Sequence, residues 1–124
     1  MNKFADLFSK IINGSNVKKN FIKIKKSNKL VDLVKIFNCN GLIKGYIVKN
    51  EEILVFLKYK NNIPILKNIK MISKPSKKIF LKQKGLFKLP NKFYIISTTS
   101  GFMTQIDAKN KNLGGELICS IFLN

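Results

Sequence analysis

Three residue types are missing from the chain, whose 124 residues include no histidine, no arginine and no tryptophan. Without histidine, the protein cannot use an imidazole general base, a Ser-His-Asp triad or a histidine-ligated metal ion. Without arginine, it lacks the bidentate fork that reads guanine, and lysine must supply all of its positive side-chain charge. We therefore expect attraction to phosphate from lysine and specific recognition from other residues.

Acidic residues are also scarce, since six aspartates and glutamates stand against 24 lysines and give a formal net charge of +18. This excess is far beyond what solubility requires, so it indicates a polyanionic partner. The adjacent acids Glu51 and Glu52 fall in a predicted turn, where a solvated loop is expected rather than a catalytic pair. Neither GxxxxGKS/T nor GxGxxG occurs. We predict that the protein is not an enzyme and has no cofactor.

The two cysteines, Cys39 and Cys119, show no CxxC spacing, which argues against a zinc site or a disulfide framework. Both are predicted to be small, buried, apolar residues. The longest apolar runs, such as "ILVFL" at residues 53–57, are too short to span a bilayer. The N-terminus shows neither a hydrophobic signal segment nor an arginine-rich presequence. A protein of this kind that works in an organelle is expected to be made there.

The residue pattern predicts an α+β fold of two small packed α/β subdomains. In the first half, apolar periodicity predicts a helix at residues 3–12 and a strand at 21–26 whose lysines form a cationic outer face. A second helix follows, with Ser27 or Asn28 as its N-cap and Asn40-Gly41 as its stop, and then two strands at residues 42–50 and 52–60. Asn13-Gly14 is the expected stop of the first helix, and the last two strands form a hairpin. The polar "KNNIP" at residues 60–64 predicts the boundary between subdomains 1–62 and 63–124.

The second half is predicted to be mainly β, with strands at residues 69–73, 79–81, 93–98 and 116–123 and turns at Pro75 and Pro90. One short helix is predicted to begin at Thr104, because Thr104 and Asp107 fit a capping pattern.

Lysines recur in clusters in both halves of the chain. Such repetition favours a phosphate-contacting surface whose affinity falls with salt, although such contacts position a nucleic acid without reading its sequence. The clusters are Lys18-Lys19, Lys23-Lys25-Lys26-Lys29, Lys74-Lys77-Lys78 and Lys82-Lys84-Lys88-Lys92.

The uncharged stretch "STTSG" at residues 97–101 is the best candidate for specific recognition. One interpretation is a strand end and turn in which Gly101 takes an unusual backbone angle. The other is that Ser97, Thr98, Thr99 and Ser100 contact ribose hydroxyls and base edges in the shallow minor groove of RNA. Hydroxyls cost less to desolvate than lysine. Unpaired N–H groups at the helix start near Thr104 would suit a phosphate.

The C-terminal third contains "STTSGFMT", a short alanine-containing helix and then "LGGELIC". It resembles the signature of bacterial-type small-subunit ribosomal protein eight, Ser-Thr-Ser-x-Gly-x-Met-Thr followed by Gly-Gly-Glu-Ile-x-Cys. Similarly, "ADLFSKIINGS" resembles that family's Ala-Asp-x-x-x-Arg-Ile-x-Asn-Gly helix, and "ISKPSKKIF" its Ser-x-Pro-Gly-x-Arg-x-Tyr segment. These matches cover most of the chain in order, with the middle hairpin matching only in pattern.

The resemblance implies a two-domain α+β constituent of the small ribosomal subunit that binds the central domain of small-subunit rRNA directly and supports assembly and translation. Its other partners would be neighbouring small-subunit proteins, with no membrane and no small-molecule substrate. By position, Ser97, Thr98, Thr99 and Gly101 would form the RNA-contacting loop, and Glu116 would brace it.

Further RNA contacts are implied outside that loop. Phe80 stands where the family has tyrosine, so stacking is expected without the phenolic hydrogen bond. The lysine cluster before it contributes Lys77 and Lys78. The implied N-terminal contact consists of Lys10, Asn13, Ser27 and Lys29.

The sequence departs from the family pattern at several positions. Thr99 replaces serine and keeps the hydroxyl, Ser76 replaces the glycine after proline, and Ile12 replaces an arginine; Asn2-Lys3 replaces Asp-Pro. With the abundance of Lys, Asn, Ile and Phe, whose codons are A/T-rich, these changes fit a divergent organellar version. A mitochondrial ribosome is the first choice, with a plastid-type organelle or an A/T-rich bacterial cytoplasm as alternatives.

Two other functions remain open from the residues alone. One is nonspecific binding of nucleic acid, which predicts equal affinity for DNA and RNA duplexes. The other is binding to anionic membrane surfaces, for which the first helix is a poor example because Asp6 accompanies Lys3 and Lys10.

Overall fold

The computed structural model describes residues 3–73, 80–81 and 92–124. The predicted α+β class is confirmed, with helices and antiparallel sheets in the described ranges. The chain forms two compact units, one extending to Lys67 and including Asn124, the other running from Asn68 to Leu123. The predicted division at residues 62 and 63 remains a prediction.

The first unit has the predicted order of helix, strand, helix, strand and strand as far as Phe56, where the predicted last strand (residues 52–60) is interrupted, and two short paired strands follow that were not predicted. Its elements are α1 (Lys3–Asn16), β1 (Phe21–Lys25), α2 (Asn28–Cys39), β2 (Gly45–Val48), β3 (Glu52–Phe56), β4 (Tyr59–Lys60) and β5 (Ile63–Pro64). The first three strands form an antiparallel sheet in the order β1-β3-β2. The predicted β2-β3 hairpin is therefore confirmed.

The core of the first unit follows from two periodicities. Apolar residues three and four apart give each helix a buried stripe, in which the rings of Phe8 and Phe37 stack 6.0 Å apart. Strand β1 alternates with period two, so Ile22 and Ile24 are buried whereas Lys23 and Lys25 are exposed. This confirms the predicted strand with a cationic outer face.

The predicted stop of α1 at Asn13-Gly14 is wrong, because the helix continues to Asn16. Gly14 is instead a packing position: a Cβ there would lie 2.8 Å from Ile22 Cγ2. The chain turns at Lys18, whose φ of 58° is left-handed, and the Lys19 N–H donates to the Gly14 carbonyl over 2.9 Å. This is a Schellman-type ending that uses lysine where glycine is usual.

Helix α2 begins at the first of its two predicted N-cap candidates and ends at the predicted Asn40-Gly41 stop. Ser27 is its N-cap, and the Ser27 hydroxyl accepts a hydrogen bond from the Leu30 N–H over 3.2 Å. At the other end Gly41 has a φ of 71°, and the Leu42 N–H donates to the Phe37 carbonyl.

The second unit is mainly β, and its first strand starts at the junction with the first unit. Its elements are β6 (Leu66–Met71), β7 (Phe80–Leu81), β8 (Lys92–Thr98), β9 (Gly101–Thr104), α3 (Gln105–Asn110) and β10 (Gly115–Leu123). The strand order is β6-β10-β8-β9, with β7 also paired to β10. Thr104 is the N-cap of α3, as predicted. Strand β9 was not predicted.

Helix α3 covers one face of this sheet. Ile96, Met103 and Ala108 form a buried cluster there, flanked by Tyr94 and Leu117. Buried residues on the opposite face include Ile95, Cys119 and Ile121. Strands β8 and β9 therefore both contribute residues to the core.

The two cysteines have different environments. Cys119 is fully buried as predicted, and desolvation raises the pKa of its thiol to about 12. Cys39, at the end of α2, is exposed, so the prediction of burial is wrong for this residue. Its helix position lies outside the apolar stripe. In the described ranges, no helix combines the length and apolar character needed to cross a membrane.

Candidate nucleic-acid interface

The hydroxyl-rich segment forms the connection of a β-hairpin. Thr98 pairs with Gly101, so Thr99 and Ser100 make a two-residue turn between β8 and β9. Gly101 has a φ of +105°, a conformation that strains any residue with a Cβ, and its side of the turn is otherwise open. The turn interpretation and the recognition interpretation of this stretch are thus compatible.

The four hydroxyl residues differ in their surroundings. The Thr98 hydroxyl donates to the Gly101 carbonyl over 2.9 Å and accepts from the Ser100 N–H over 3.1 Å. Because a hydroxyl has a single proton to donate, Thr98 orders the turn and keeps only acceptor capacity for a ligand. Thr99 and Ser100 are exposed at the tip, whereas Ser97 is half-buried.

Strand register brings further predicted residues beside this turn. Ser97 lies opposite Glu116 on β10 and opposite Phe102 on β9, and the backbone of Phe80 on β7 is paired with Glu116. Directly opposite residues share a face of a sheet. Ser97, Phe102 and Glu116 therefore lie on the face opposite α3, next to the turn.

Gly115 allows this row to form. A Cβ at position 115 would overlap the Ser97 carbonyl oxygen and lie 2.9 Å from the carbonyl carbon. Only glycine lets β10 approach β8 this closely at the point where Glu116 reaches its register position. The double glycine is visible in "LGGELIC", but the role of Gly115 depends on contact with β8 (Lys92–Thr98), a strand that ends 17 residues before it.

Helix α3 holds the second arm of the hairpin. The buried Thr104 hydroxyl accepts from the Asp107 N–H over 3.4 Å. The buried Gln105 side chain accepts a 2.7 Å hydrogen bond from the Tyr94 N–H through its Oε1. These bonds connect the end of β9 to α3 and α3 back to β8, so both strands that carry the exposed turn are joined to α3.

The predicted N-terminal contact residues lie in the first unit. Lys10 forms an ion pair with Asp6 at 3.7 Å and donates to the Lys23 carbonyl at 3.4 Å. Ser27 is committed to capping α2. Asn13 and Lys29 are exposed.

The structure thus groups the candidate residues by unit. Ser97 to Gly101, Glu116 and the Phe80 backbone belong to the second unit, and the N-terminal residues belong to the first. Lys77 and Lys78 lie outside the described residues, as do the lysines at positions 74, 82, 84 and 88. Phe80 is described only by its strand pairing. The assignment of these residues as RNA contacts remains a prediction.

One residue of the row formed by Ser97, Phe102 and Glu116 was not predicted from the sequence. Phe102 is half-buried on β9 directly opposite Ser97. The segment is only four residues long, and it becomes recognisable as a strand once the two-residue turn places it against β8.

The chemistry available at this surface is recognition. Exposed hydroxyls at the turn can donate and accept hydrogen bonds, and lysine supplies long-range attraction to phosphate. Among the described residues, no group of three or more His, Cys, Asp and Glu side chains could hold a metal ion.

Comparisons with known proteins identify the family that the chain matches. The family model described as ribosomal protein S8 matches residues 2–122. A protein of Malacoplasma penetrans (strain HF-2) is 35% identical over 129 residues, covering 98% of both chains. Proteins of Borrelia garinii subsp. bavariensis and Buchnera aphidicola subsp. Cinara cedri are each 36% identical, covering 95% and 94% of both chains respectively. All three relatives are named small ribosomal subunit protein uS8.

Proposed function

Because the chain belongs to the ribosomal protein S8 family, we propose that it is a structural protein of the small ribosomal subunit that binds rRNA through the β8-β9 hairpin. The family consists of structural proteins, and this chain is not an enzyme. Its net charge of +18 suits a partner with a dense phosphate backbone.

The observation that carries the proposal is the hydroxyl-tipped turn at Thr99 and Ser100, which the Thr98 hydroxyl holds by two hydrogen bonds. RNA displays 2′-hydroxyls and base edges in a wide, shallow minor groove, and uncharged hydroxyls can exchange hydrogen bonds with both. Thr98 orders the turn before any RNA arrives. Such preorganisation lowers the entropy lost on binding.

The proposed role of Glu116 is to brace the turn and to accept hydrogen bonds, not to attract the phosphate backbone. A carboxylate repels phosphate, but beside Ser97 it can accept hydrogen bonds from ribose hydroxyls or from exocyclic amino groups of bases. Its register partner on β7 is Phe80, which the family resemblance implicates in stacking. These roles are part of the proposal.

The finer assignment is to the central domain of small-subunit rRNA, among neighbouring small-subunit proteins. The motif "STTSGFMT" followed by "LGGELIC" supports it through the family resemblance. For the compartment, we favour an organellar ribosome, mitochondrial as the first choice, on the strength of the all-lysine, A/T-codon composition. The relatives named above come from bacteria, and the alternative is an A/T-rich bacterial cytoplasm. Immunodetection on ribosomes from fractionated source cells would distinguish the two.

Binding of the full chain to the central-domain rRNA hairpin of its own ribosome tests the function. The comparison is with a scrambled hairpin of equal length, at low and moderate salt. We expect the native hairpin to be preferred at both, because hydroxyl contacts do not release counterions. The variant Thr99→Ala with Ser100→Ala should lose about thirtyfold or more in affinity for the native hairpin, because two lost recognition contacts cost roughly 1–3 kcal/mol each. Its salt slope should not change.

Ser9→Ala is the matched control, because Ser9 is an exposed serine on α1, which belongs to the first unit and not to the hairpin. Equal binding of the native and scrambled rRNA hairpins would show that the protein acts only as a nonspecific polycation. Salt-resistant binding to anionic liposomes would instead support the membrane-surface alternative. Native preference retained in full by the double variant would remove the turn from the mechanism.

A further inference from the structure

A second surface, in the first unit, has apolar residues that the proposed function does not use, although Lys10 and Asn13 at its rim are among the implied N-terminal contacts. It is a groove between the last turns of α1 and strand β1. Its walls and rim include Lys10, Asn13, Val17, Lys19, Phe21 and Lys23. No acidic residue is among the described residues that line it.

Two apolar side chains of this groove are unusually accessible. Val17 is 68% exposed and Phe21 is 42% exposed. Phe21 is also held in place, since its ring lies 5.9 Å from that of Phe56 on the neighbouring strand, tilted by 50°. An aromatic ring that packs on one side and remains accessible on the other is a surface on which a planar group can stack.

The backbone of the groove is fixed at its turn. The left-handed Lys18 and the Schellman-type bonds determine where the chain leaves α1. The Tyr59 hydroxyl donates a 2.5 Å hydrogen bond to the Lys19 carbonyl, and the chain then enters β1 at Phe21. The lysines and the ring therefore start from defined positions.

Charge decides which planar group fits. Lys23 shares the exposed face of β1 with Phe21, two residues away, and Lys19 lies on the other side of the ring along the chain. Lys10 adds a third ammonium group, partly offset by Asp6. Lysines spaced around an accessible aromatic ring form the combination that binds single-stranded nucleic acid, with phosphates at the lysines and a base on the ring.

We infer that this groove binds an unpaired nucleotide, with its base stacked on Phe21 against Val17 and its flanking phosphates near Lys19 and Lys23. The inference rests on the proposed function, because rRNA is the nucleic acid that would supply the nucleotide. It adds a site in the first unit that is chemically distinct from the hydroxyl turn: stacking there tolerates any base, whereas the turn is built for hydrogen bonds.

The test uses the full chain and two RNA probes. One is a six-nucleotide single strand containing 2-aminopurine, whose fluorescence falls when the base stacks. The other is the native rRNA hairpin with its scrambled counterpart. Phe21→Leu keeps an apolar side chain but removes the ring, and should weaken binding of the single strand about tenfold and abolish the quenching. Ile63→Ala, at an apolar residue that is 56% exposed on β5, is the matched control.

A lysine variant separates the two parts of the site. Lys19→Gln should retain the quenching at saturation and reduce the salt slope for the single strand by about 0.7. Lys35→Gln, at an exposed lysine on α2, should do neither.

The outcomes distinguish the two proposals. Equal affinity and equal quenching by wild type and Phe21→Leu would overturn the groove inference and leave the native-hairpin preference intact. Competition by an RNA duplex as strong as by the single strand would also overturn it. Impaired incorporation of Phe21→Leu into subunits with both RNA affinities unchanged would assign the groove to a protein neighbour instead. Loss of the native-hairpin preference in the wild type would overturn the proposed function itself.

Discussion

Replacing Gly115 by alanine should disrupt the row formed by Ser97, Phe102 and Glu116, although it adds only one methyl group. The new Cβ would overlap the Ser97 carbonyl oxygen and lie 3.0 Å from Ile96 Cγ2. The carbonyl belongs to the backbone of β8 and cannot move away by a rotamer change. Strands β8 and β10 must therefore separate where Ser97 and Glu116 pair.

The magnitude follows from two costs. Overpacking of a tightly packed site costs about 1–3 kcal/mol, and each interstrand hydrogen bond that opens costs about 1 kcal/mol more. We expect Gly115→Ala to reduce the free energy of unfolding by roughly 2–4 kcal/mol. With a urea dependence of about 2 kcal/mol per molar, the urea midpoint should fall by roughly 1–2 M.

Urea unfolding monitored by circular dichroism measures this, with Gly45→Ala as control. A Cβ at Gly45 would have no neighbour within 4 Å, and its backbone φ is not left-handed. Gly45 is also a strand residue, so the two variants change the same residue type in the same secondary structure. A midpoint for Gly115→Ala equal to that of Gly45→Ala would refute the close approach of β10 to β8.

Three further predictions concern the β8-β9 hairpin and the thiols. Thr98→Val should reduce the free energy of unfolding by about 1 kcal/mol, because it removes both turn hydrogen bonds, whereas Thr99→Val should leave it unchanged within about 0.5 kcal/mol. Urea unfolding measures the ordering of the turn, and titration with the native rRNA hairpin measures RNA contact. Equal destabilisation by Thr98→Val and Thr99→Val would contradict the assignment of turn ordering to Thr98. At pH 8 a thiol reagent should modify Cys39 and leave Cys119 protected until the chain unfolds. Because burial raises the pKa of Cys119 from 9.0 to about 12, the unfolded chain ionises this thiol first, so stability is present below pH 9 and declines as pH rises towards 12. Cys119→Ala should show a shallower decline over that range in pH-dependent unfolding, and an unchanged slope would refute the assignment.

Local signals predicted much of the first unit correctly. The alternation in β1, the Ser27 cap and the stop at Gly41 each depend on residues within a few positions of one another. They were correct because short-range sterics and hydrogen bonding decide them. Gly14 shows where this reasoning fails: next to Asn13 it has the appearance of a helix stop, but its lack of a side chain serves contact with Ile22 on β1.

The second unit shows the same limit at its candidate site. The hydroxyl-rich stretch was identified from its residues, and the capping of α3 by Thr104 was predicted from a four-residue pattern. The different roles of Thr98, Thr99 and Ser100 could not be predicted, because they depend on which hydroxyl forms hydrogen bonds within its own turn. Strand β9 was missed because four residues carry too little periodicity until they are paired with β8.

The sequence by itself determined the chemistry of this protein: lysine as its only basic side chain, no imidazole, a +18 charge and a family signature that extends over most of the chain. Composition and local pattern are properties of the chain in any conformation. The tertiary structure alone decided that Thr98 orders the turn, that Gly115 admits Glu116 beside Ser97, and that Phe21 is held against Phe56 with its ring accessible. These features depend on strand register and close packing between segments distant in sequence, which local propensity does not encode.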